Sequence, residues 1–121
     1  MSDDATANDR AILARQTSTV SLAATATTSN VLLPNKSTDG SVGGGPSQVE
    51  IYNAGSVSVF VNFGGSAVTA VLPNGATPGD YPVAPGAVVV VTVAGARPMY
   101  AAVICPSAGT ATVYFSPGDG L

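Results

Sequence analysis

The sequence predicts an all-β protein, an antiparallel β-sandwich of about eight strands, from three observations. The apolar residues are mostly Val and Ala, and β-branched valine packs well on a pleated sheet. Fourteen Gly and nine Pro divide the chain into short segments and exclude long helices. Segments of strand-like composition recur about every 8–12 residues between turn residues, which is typical of a sandwich or barrel.

The strand prediction follows the chain from residue 16 onward. Residues 48–52 and 57–62 alternate between apolar and other side chains, as half-buried strands do. Residues 87–93 form an almost continuous apolar run, which predicts a strand covered on both faces. The other candidate strands are residues 19–22, 30–33, 66–72, 99–105 and 110–115. Eight strands in two sheets would be jelly-roll-like and seven immunoglobulin-like, and the pattern alone does not separate the two.

Three further segments predict irregular structure. Residues 36–47 are rich in Gly and match no phosphate-binding motif, because no Gly-Lys-Ser/Thr follows and no helix opens after them. Residues 73–85 contain Asn-Gly, Pro-Gly and three further Pro, and predict a second long loop. Residues 116–120, with Pro-Gly at their centre, predict a tail that does not continue a strand.

Residues 1–15 differ in composition from residues 16–121, and we divide the chain there into an N-terminal arm and a single sandwich domain. The arm holds five of the eleven charged residues. Residues 11–14 are apolar and predict a short helix or an extended segment, although so short a helix is marginal in water. The arm is either a frayed terminus or a segment that becomes ordered against a neighbouring subunit.

Charge is scarce beyond the arm. Charged residues make up 9% of the chain, against roughly 25% in an average soluble domain. After residue 15 the charged residues are Lys36, Asp39, Glu50, Asp80, Arg97 and Asp119. The surface must then consist mainly of Ser, Thr, Asn, Gly, Ala and Pro. Such a surface is better suited to contact with other proteins than to a free, well-hydrated monomer.

The composition offers little for catalysis or for cofactors. The chain has no His, which excludes the usual catalytic triads and most zinc sites. Asp39 and Asp80 lie beside Gly, as calcium ligands often do, but the spacing of a calcium loop is missing. The single cysteine, Cys105, lies in an apolar run and predicts a buried, inert thiol. We therefore expect no enzyme activity, no metal and no cofactor.

The same composition argues against nucleic-acid and membrane partners. No basic patch exists to neutralise phosphates, and the net charge is −3. The longest apolar run, residues 87–96, is far shorter than the roughly 20 residues of a membrane span. Residues 1–15 do not resemble a signal peptide, so we expect synthesis in the cytoplasm.

The aromatic side chains are the main candidates for a binding surface. Tyr52 and Phe60 lie opposite the Val-rich faces of their strands, which fits subunit packing, the core of a second sheet or an exposed platform. Packing is the better interpretation. Tyr81, between Asp80 and Pro82, is the aromatic residue that we expect to be displayed on a loop. Arg97, in a turn, is either a solvated residue or an interface anchor.

Three phrases of the sequence resemble a known family. They are Val49-Glu-Ile-Tyr-Asn-Ala-Gly55 followed by Val57-Ser-Val-Phe-Val-Asn-Phe-Gly64, then Tyr81-Pro-Val-Ala-Pro-Gly86, and the ending Ala111-Thr-Val-Tyr-Phe-Ser-Pro-Gly-Asp-Gly-Leu121. They resemble the small β-sandwich decoration (cement) proteins of tailed bacteriophage capsids. The resemblance covers about residues 48–121 and includes no catalytic signature; the arm and the loop of residues 36–47 lie outside it.

The resemblance implies a structural protein on the outer surface of the virion capsid, where it clamps neighbouring capsomers. The implied partners are the major capsid protein and other copies of the chain, as a trimer more often than a dimer. The residues we expect to make capsid or subunit contacts are Arg10, Ile12, Leu13, Arg15, Tyr81 and Arg97. Two alternatives stay open: a virion module that binds host glycans through Tyr81 and residues 73–85, and a tail or head–tail connector component.

Overall fold

The computed structural model describes residues 12–14, 18–34, 48–93, 98–106 and 108–120, with the side chains of residues 18–34, 48–93, 98–106 and 108–118. Within these ranges the chain forms strands, turns and loops, and no helix. The strands are β1 (Ile12–Ala14), β2 (Val20–Ala24), β3 (Ser29–Leu32), β4 (Gln48–Asn53), β5 (Val59–Gly64), β6 (Tyr81–Val83), β7 (Val88–Thr92), β8 (Tyr100–Ile104) and β9 (Ala111–Gly120).

The strands form two antiparallel sheets. In sheet A the order is β1-β9-β4-β7, and β2 also pairs with β9. In sheet B the order is β3-β8-β5-β6. Strands β1 and β2 occupy successive parts of the β9 edge that faces away from β4, so each sheet is four strands wide. The predicted all-β architecture of about eight strands in two packed sheets is confirmed.

The pairing between strands is nested around the middle of the chain. Strand β5 pairs with β6, β4 with β7, β3 with β8, and β2 with β9, each time antiparallel. The chain therefore turns back on itself at the β5–β6 connection, and each earlier strand finds the corresponding later one.

The core lies between the inner faces of the two sheets, as alternation along the strands requires. Val49 and Ile51 of β4 are fully buried while Tyr52, between Ile51 and Asn53, points outward. The rings of Phe63 and Phe115 meet edge to face across the core, with centroids 6.2 Å apart. Burying a side chain of this size contributes roughly 2–3 kcal/mol. The largest buried apolar side chains are Phe115, Leu33, Ile51, Met99, Val49, Val59, Val83, Val103 and Val113.

The prediction that residues 116–120 leave the sheet is wrong, since β9 continues to Gly120. The Ala54 amide donates to the Thr112 carbonyl, so the backbone N–H and C=O groups of the even-numbered β9 residues point toward β4. By alternation, the backbone groups of odd-numbered residues such as Pro117 point toward the opposite edge of β9. On that edge the β2 pairing ends at Phe115 and the β1 pairing begins at Gly118. The amide hydrogen that Pro117 lacks is therefore one that neither pairing uses.

The prediction of a strand at residues 66–72 is also wrong. This segment crosses the outer face of sheet B, where its carbonyl groups accept hydrogen bonds from asparagine side chains. The loop predicted at residues 73–85 contains the short strand β6 at its end. Its tip is a two-residue turn in which Asn74 and Thr77 exchange backbone hydrogen bonds and Gly75 has a φ of 58°.

Two further predictions concern the edge strands of sheet A. The prediction that residues 87–93 form a strand covered on both faces is wrong, because Val88 of β7 is 38% exposed and no residue of the strand is fully buried. Of the arm, the three described residues, Ile12–Ala14, are extended and pair with Gly118, Asp119 and Gly120 of β9. Residues 1–11 and 15 lie outside the described residues.

Candidate functional site

The outer face of sheet A carries a row of four neighbouring side chains, one each from β2, β9, β4 and β7. The register aligns Ser21 of β2 with Tyr114 of β9, Tyr114 with Tyr52 of β4, and Tyr52 with Val88 of β7. The rings of Tyr52 and Tyr114 stack with centroids 6.0 Å apart and an interplanar angle of 18°. Both remain about 40% exposed. We call this row the tyrosine face.

An open groove lies beside the tyrosine face, one outward-facing position further along β2 and β9, where Ala23 is paired with Thr112. It encloses about 650 Å³. Its lining consists of small side chains, three with hydroxyl groups, and includes no titratable residue: Ala23, Ala54, Gly55, Ser56, Thr110, Ala111 and Thr112. The groove can accept a neutral, hydrogen-bonding surface, and its lining residues include no titratable side chain that could act as a general base toward the three hydroxyl groups.

Asn53 fixes the wall of the groove. Its side chain is fully buried, and its amide nitrogen donates to the carbonyls of Val57 and Val83 at 2.8 and 3.0 Å. Its Oδ1 accepts from the Gly55 amide at 2.9 Å. Gly55 must be glycine because a Cβ there would overlap the backbone and side chain of Ala111. Asn53 thereby ties β4 of sheet A to β6 of sheet B.

The tyrosine face is nearly free of charge. Among the residues whose side chains are described, the only Asp, Glu, Lys or Arg residues are Glu50 and Asp80. Glu50 lies on the outer face of sheet A, one outward position from Tyr52 and paired with Val90 and Ser116. The carboxylate of Asp80 is engaged elsewhere, because it accepts from the Val71 amide at 2.7 Å. In the described part of the chain no three potential metal ligands come together.

In contrast to sheet A, the outer face of sheet B is covered by a segment of the chain. Asn30, Ala102 and Asn62 form a row across β3, β8 and β5. Asn30 Nδ2 donates to the carbonyls of Ser66 and Val68, both at 3.1 Å, and Asn62 Nδ2 donates to that of Thr69 at 3.0 Å. We call residues 66–70 the strap. Ala102 is fully buried beneath it, although it lies outside the main core.

The structure places some of the residues predicted from the sequence and leaves others undescribed. Tyr81 is 51% exposed and is displayed as predicted, but it lies at the β6 edge of sheet B and not on the tyrosine face. Ile12 and Leu13 pair through their backbones with the chain's own β9. Arg10, Arg15 and Arg97 lie outside the described residues. Cys105 is buried, as predicted, and its thiol donates to the Gly109 carbonyl.

Sequence reasoning did not select Tyr52 and Tyr114 as a joint site. Alternation alone shows that each points away from its buried neighbours, for example Tyr114 from Val113 and Phe115. Their adjacency depends on the register between β4 and β9, which a single sequence does not reveal. The signal that was present is a tyrosine on the outer face of two separate Val-rich strands.

Comparison with protein-family models, with curated proteins and with solved structures finds no match to this chain. The described residues also include no helix that is long and apolar enough to cross a membrane.

Proposed function

We propose that this chain is a structural virion protein, a capsid decoration or cement protein that binds the outer surface of a phage head and stabilises contacts between capsomers. The observation that carries the proposal is the tyrosine face. An exposed aromatic pair flanked by Val88 and Ser21, with one carboxylate nearby, can be buried against protein at little desolvation cost. Tyrosine is also enriched where protein interfaces gain most of their affinity.

The nested pairing of strands supports a finer description of the fold. A chain that folds at its midpoint into a two-stranded ribbon, and then wraps that ribbon into two sheets, pairs its strands as β5–β6, β4–β7, β3–β8 and β2–β9. We infer a jelly roll, an architecture of eight strands that occurs in viral capsid and lectin domains. The resemblance of residues 48–121 to phage decoration proteins points in the same direction.

The proposed mechanism is stabilisation by preferential binding. A protein that binds the assembled shell but not free capsid subunits favours the shell in proportion to its binding free energy. Repetition over a symmetric lattice multiplies many individually small contributions. No catalytic group is required.

The test is binding to purified shells of the major capsid protein that lack this chain. We expect bound copies in a simple ratio to the shell protein and a higher melting temperature of the shell. Replacing both tyrosines, Tyr52→Ala with Tyr114→Ala, should weaken binding at least about tenfold, equivalent to about 1.4 kcal/mol. Leu32→Ala is the matched control, because Leu32 is similarly exposed but lies on the outer face of sheet B. Equal binding by the double variant and the wild type would reject the tyrosine face as the contact. A handful of copies per particle would indicate a connector or tail component.

A second candidate function is binding of neutral glycans. The observation that favours it is the groove, whose Ser56, Thr110 and Thr112 hydroxyl groups lie beside the stacked tyrosines. Aromatic faces and hydroxyl groups are suited to the apolar patches and hydroxyls of a sugar. A glycan array, probed with the wild type and with Tyr52→Ala, tests it. Retention of no glycan by the wild type rejects this function and leaves the capsid role untouched.

A further inference from the structure

Glu50 places a negative charge in the middle of sheet A. Among the residues whose side chains are described, it is the only acidic one on the outer face of that sheet. Its strand, β4, is an interior strand, and the register sets Glu50 between Val90 of β7 and Ser116 of β9. Tyr52 is the next outward residue on the same strand. The half-buried side chain of Glu50 therefore has neighbours on both sides and adjoins the tyrosine face.

The carboxylate of Glu50 makes no hydrogen bond and no ion pair within the described part of the chain. Ser116, directly across on β9, shares its hydroxyl group with that of Thr19 at 2.9 Å. Val90, across on β7, has no polar side chain. Asp80 shows the contrast, because its carboxylate accepts from the Val71 amide. The charge of Glu50 thus depends on solvent for its stabilisation.

A contact centred on the two tyrosines covers Glu50 as well. Glu50 and Tyr52 are two residues apart on one strand, which is about 7 Å at about 3.4 Å per residue. A stable protein interface covers about 800 Å² on each partner, a patch roughly 25–30 Å across. Since β4 lies inside the sheet and not at its edge, Glu50 lies within such a contact and not outside it.

This position sets a condition on the partner. A carboxylate that loses its solvent and gains neither a counter-charge nor hydrogen-bond donors is costly in free energy. The tyrosines favour burial of the face, whereas Glu50 opposes it unless the partner supplies a cation. Burial of the tyrosine face against a shell therefore requires a complementary charge opposite Glu50.

We propose, resting on the capsid role above, that the shell places an arginine side chain over Glu50 at the edge of the tyrosine face. A guanidinium carries five N–H donors in one plane and can donate two parallel hydrogen bonds to a single carboxylate. It also stacks on aromatic rings, and the exposed rings of Tyr52 and Tyr114 lie beside Glu50. Lysine offers a compact, strongly hydrated charge without the planar surface that rings stack against.

Glu50→Gln tests the charge and leaves the shape of the side chain almost unchanged. With an arginine opposite, binding to purified shells that lack this chain should weaken at least about tenfold, because the arginine is left buried without its counter-charge. Asp80→Asn is the matched control. It makes the same change in net charge, its side-chain oxygen can still accept from the Val71 amide, and it should bind shells as the wild type does.

The identity of the shell residue is found by chemical protection. Shells with and without the bound wild-type chain are treated with phenylglyoxal, which modifies arginine, and the modified positions are mapped by mass spectrometry. We expect the bound chain to protect a shell arginine. Replacing that arginine with glutamine should weaken binding about as much as Glu50→Gln does, and the two changes together should cost no more than either alone.

The outcomes separate this contact from the capsid role itself. If Glu50→Gln binds shells as tightly as the wild type or more tightly, while the double tyrosine variant binds weakly, the arginine contact is wrong and the capsid role stands. Protection of shell lysines alone, in a parallel acetylation experiment, would also overturn it. No binding of the wild type to shells would reject the capsid role and the contact with it.

The free chain provides the folding control. Glu50→Gln should melt at the same temperature as the wild type, because the carboxylate makes no bond within the described part of the chain. A lower melting temperature of the free variant would show that Glu50 is paired within its own chain, which contradicts the proposal.

Discussion

The two outer faces of the sandwich differ: a segment of the chain covers the face of sheet B, whereas the central row of sheet A is exposed. On sheet B the side chains of Asn30 and Asn62 hold the strap over Ala102, which is fully buried. On sheet A the corresponding central row, with Tyr52 and Tyr114, is bare and about 40% exposed. Covering a sheet requires partners for the backbone of the covering segment, and in the described part of the chain the two asparagines of sheet B supply such partners. The difference indicates that sheet A is the face available for contact.

The largest effect is expected at Asn53, where the two sheets are tied together. Asn53→Ala removes three hydrogen bonds and leaves the Val57 and Val83 carbonyls and the Gly55 amide without that partner. We expect a loss of about 3 kcal/mol in the free energy of unfolding, since each unsatisfied buried group costs about 1–3 kcal/mol. Chemical denaturation measures it.

Asn53→Asp should be at least as destabilising although its shape is nearly unchanged. A carboxylate cannot donate, and its oxygen would face the Val57 and Val83 carbonyls. Asn74→Ala, in an exposed turn, is the control and should change stability by less than about 0.5 kcal/mol. A stable Asn53→Asp protein would show that Asn53 acts through its volume and not through its hydrogen bonds.

The second largest effect is expected from uncovering sheet B. The double variant Asn30→Ala with Asn62→Ala should lose at least about 2 kcal/mol, because hydrogen bonds contribute about 0.5–1.5 kcal/mol each and four are removed, three to the strap and one from the Phe63 amide to Asn62 Oδ1. The strap should also open. The Ala70 amide, which donates to Thr28 Oγ1 at 2.8 Å, reports this as faster hydrogen exchange. Unchanged exchange at Ala70 would mean that the strap is held by packing alone.

Much of the fold could be predicted because composition and alternation specify strands. Residues 19–22, 30–33 and 48–52 differ from the observed strands by only one or two residues at an end. The segment at residues 66–72 has strand composition too, but its carbonyls bond to asparagine side chains of strands far away in the sequence. No local pattern encodes such a partner, so propensity was overridden by tertiary contacts.

At the end of the chain, tertiary contacts extend a strand where the local sequence predicts a break. Pro117 and Gly118 predict a break, yet β9 passes through them because Pro117 faces the junction between the pairings of β2 and β1. The candidate site could be predicted from the sequence only in part. The outward direction of Tyr52 and Tyr114 is local information, whereas their contact and the nearby groove depend on the register.

The third prediction concerns the coupling within the bare face. Tyr52→Ala and Tyr114→Ala should each lower stability by about 1 kcal/mol, and a double-mutant cycle should give a coupling of about 0.5–1 kcal/mol for the stacked rings. Tyr52 with Leu32 is the control cycle. These residues lie on opposite outer faces, so their effects should add. A coupling near zero between the tyrosines would remove the stack as an organising element of sheet A.

The smallest effect is expected at Cys105, at a second junction between the sheets, where its amide donates to the Thr25 carbonyl beyond β2. Desolvation by burial raises the pKa of the Cys105 thiol above its ordinary value of 9.0. Because the folded-state pKa is the higher one, the stabilisation is fully present below the unfolded-state pKa and is lost as pH rises through the folded-state pKa. We therefore expect the stability difference between the wild type and Cys105→Ala to be constant up to about pH 8 and to shrink above about pH 9. Both proteins contain the same tyrosines, so any contribution from these residues cancels in the difference. Denaturation at a series of pH values measures it, and thiol labelling should be slow in the native state and fast after unfolding. A stability difference that grows with pH would show that the thiolate, and not the neutral thiol, is the form that the folded chain prefers.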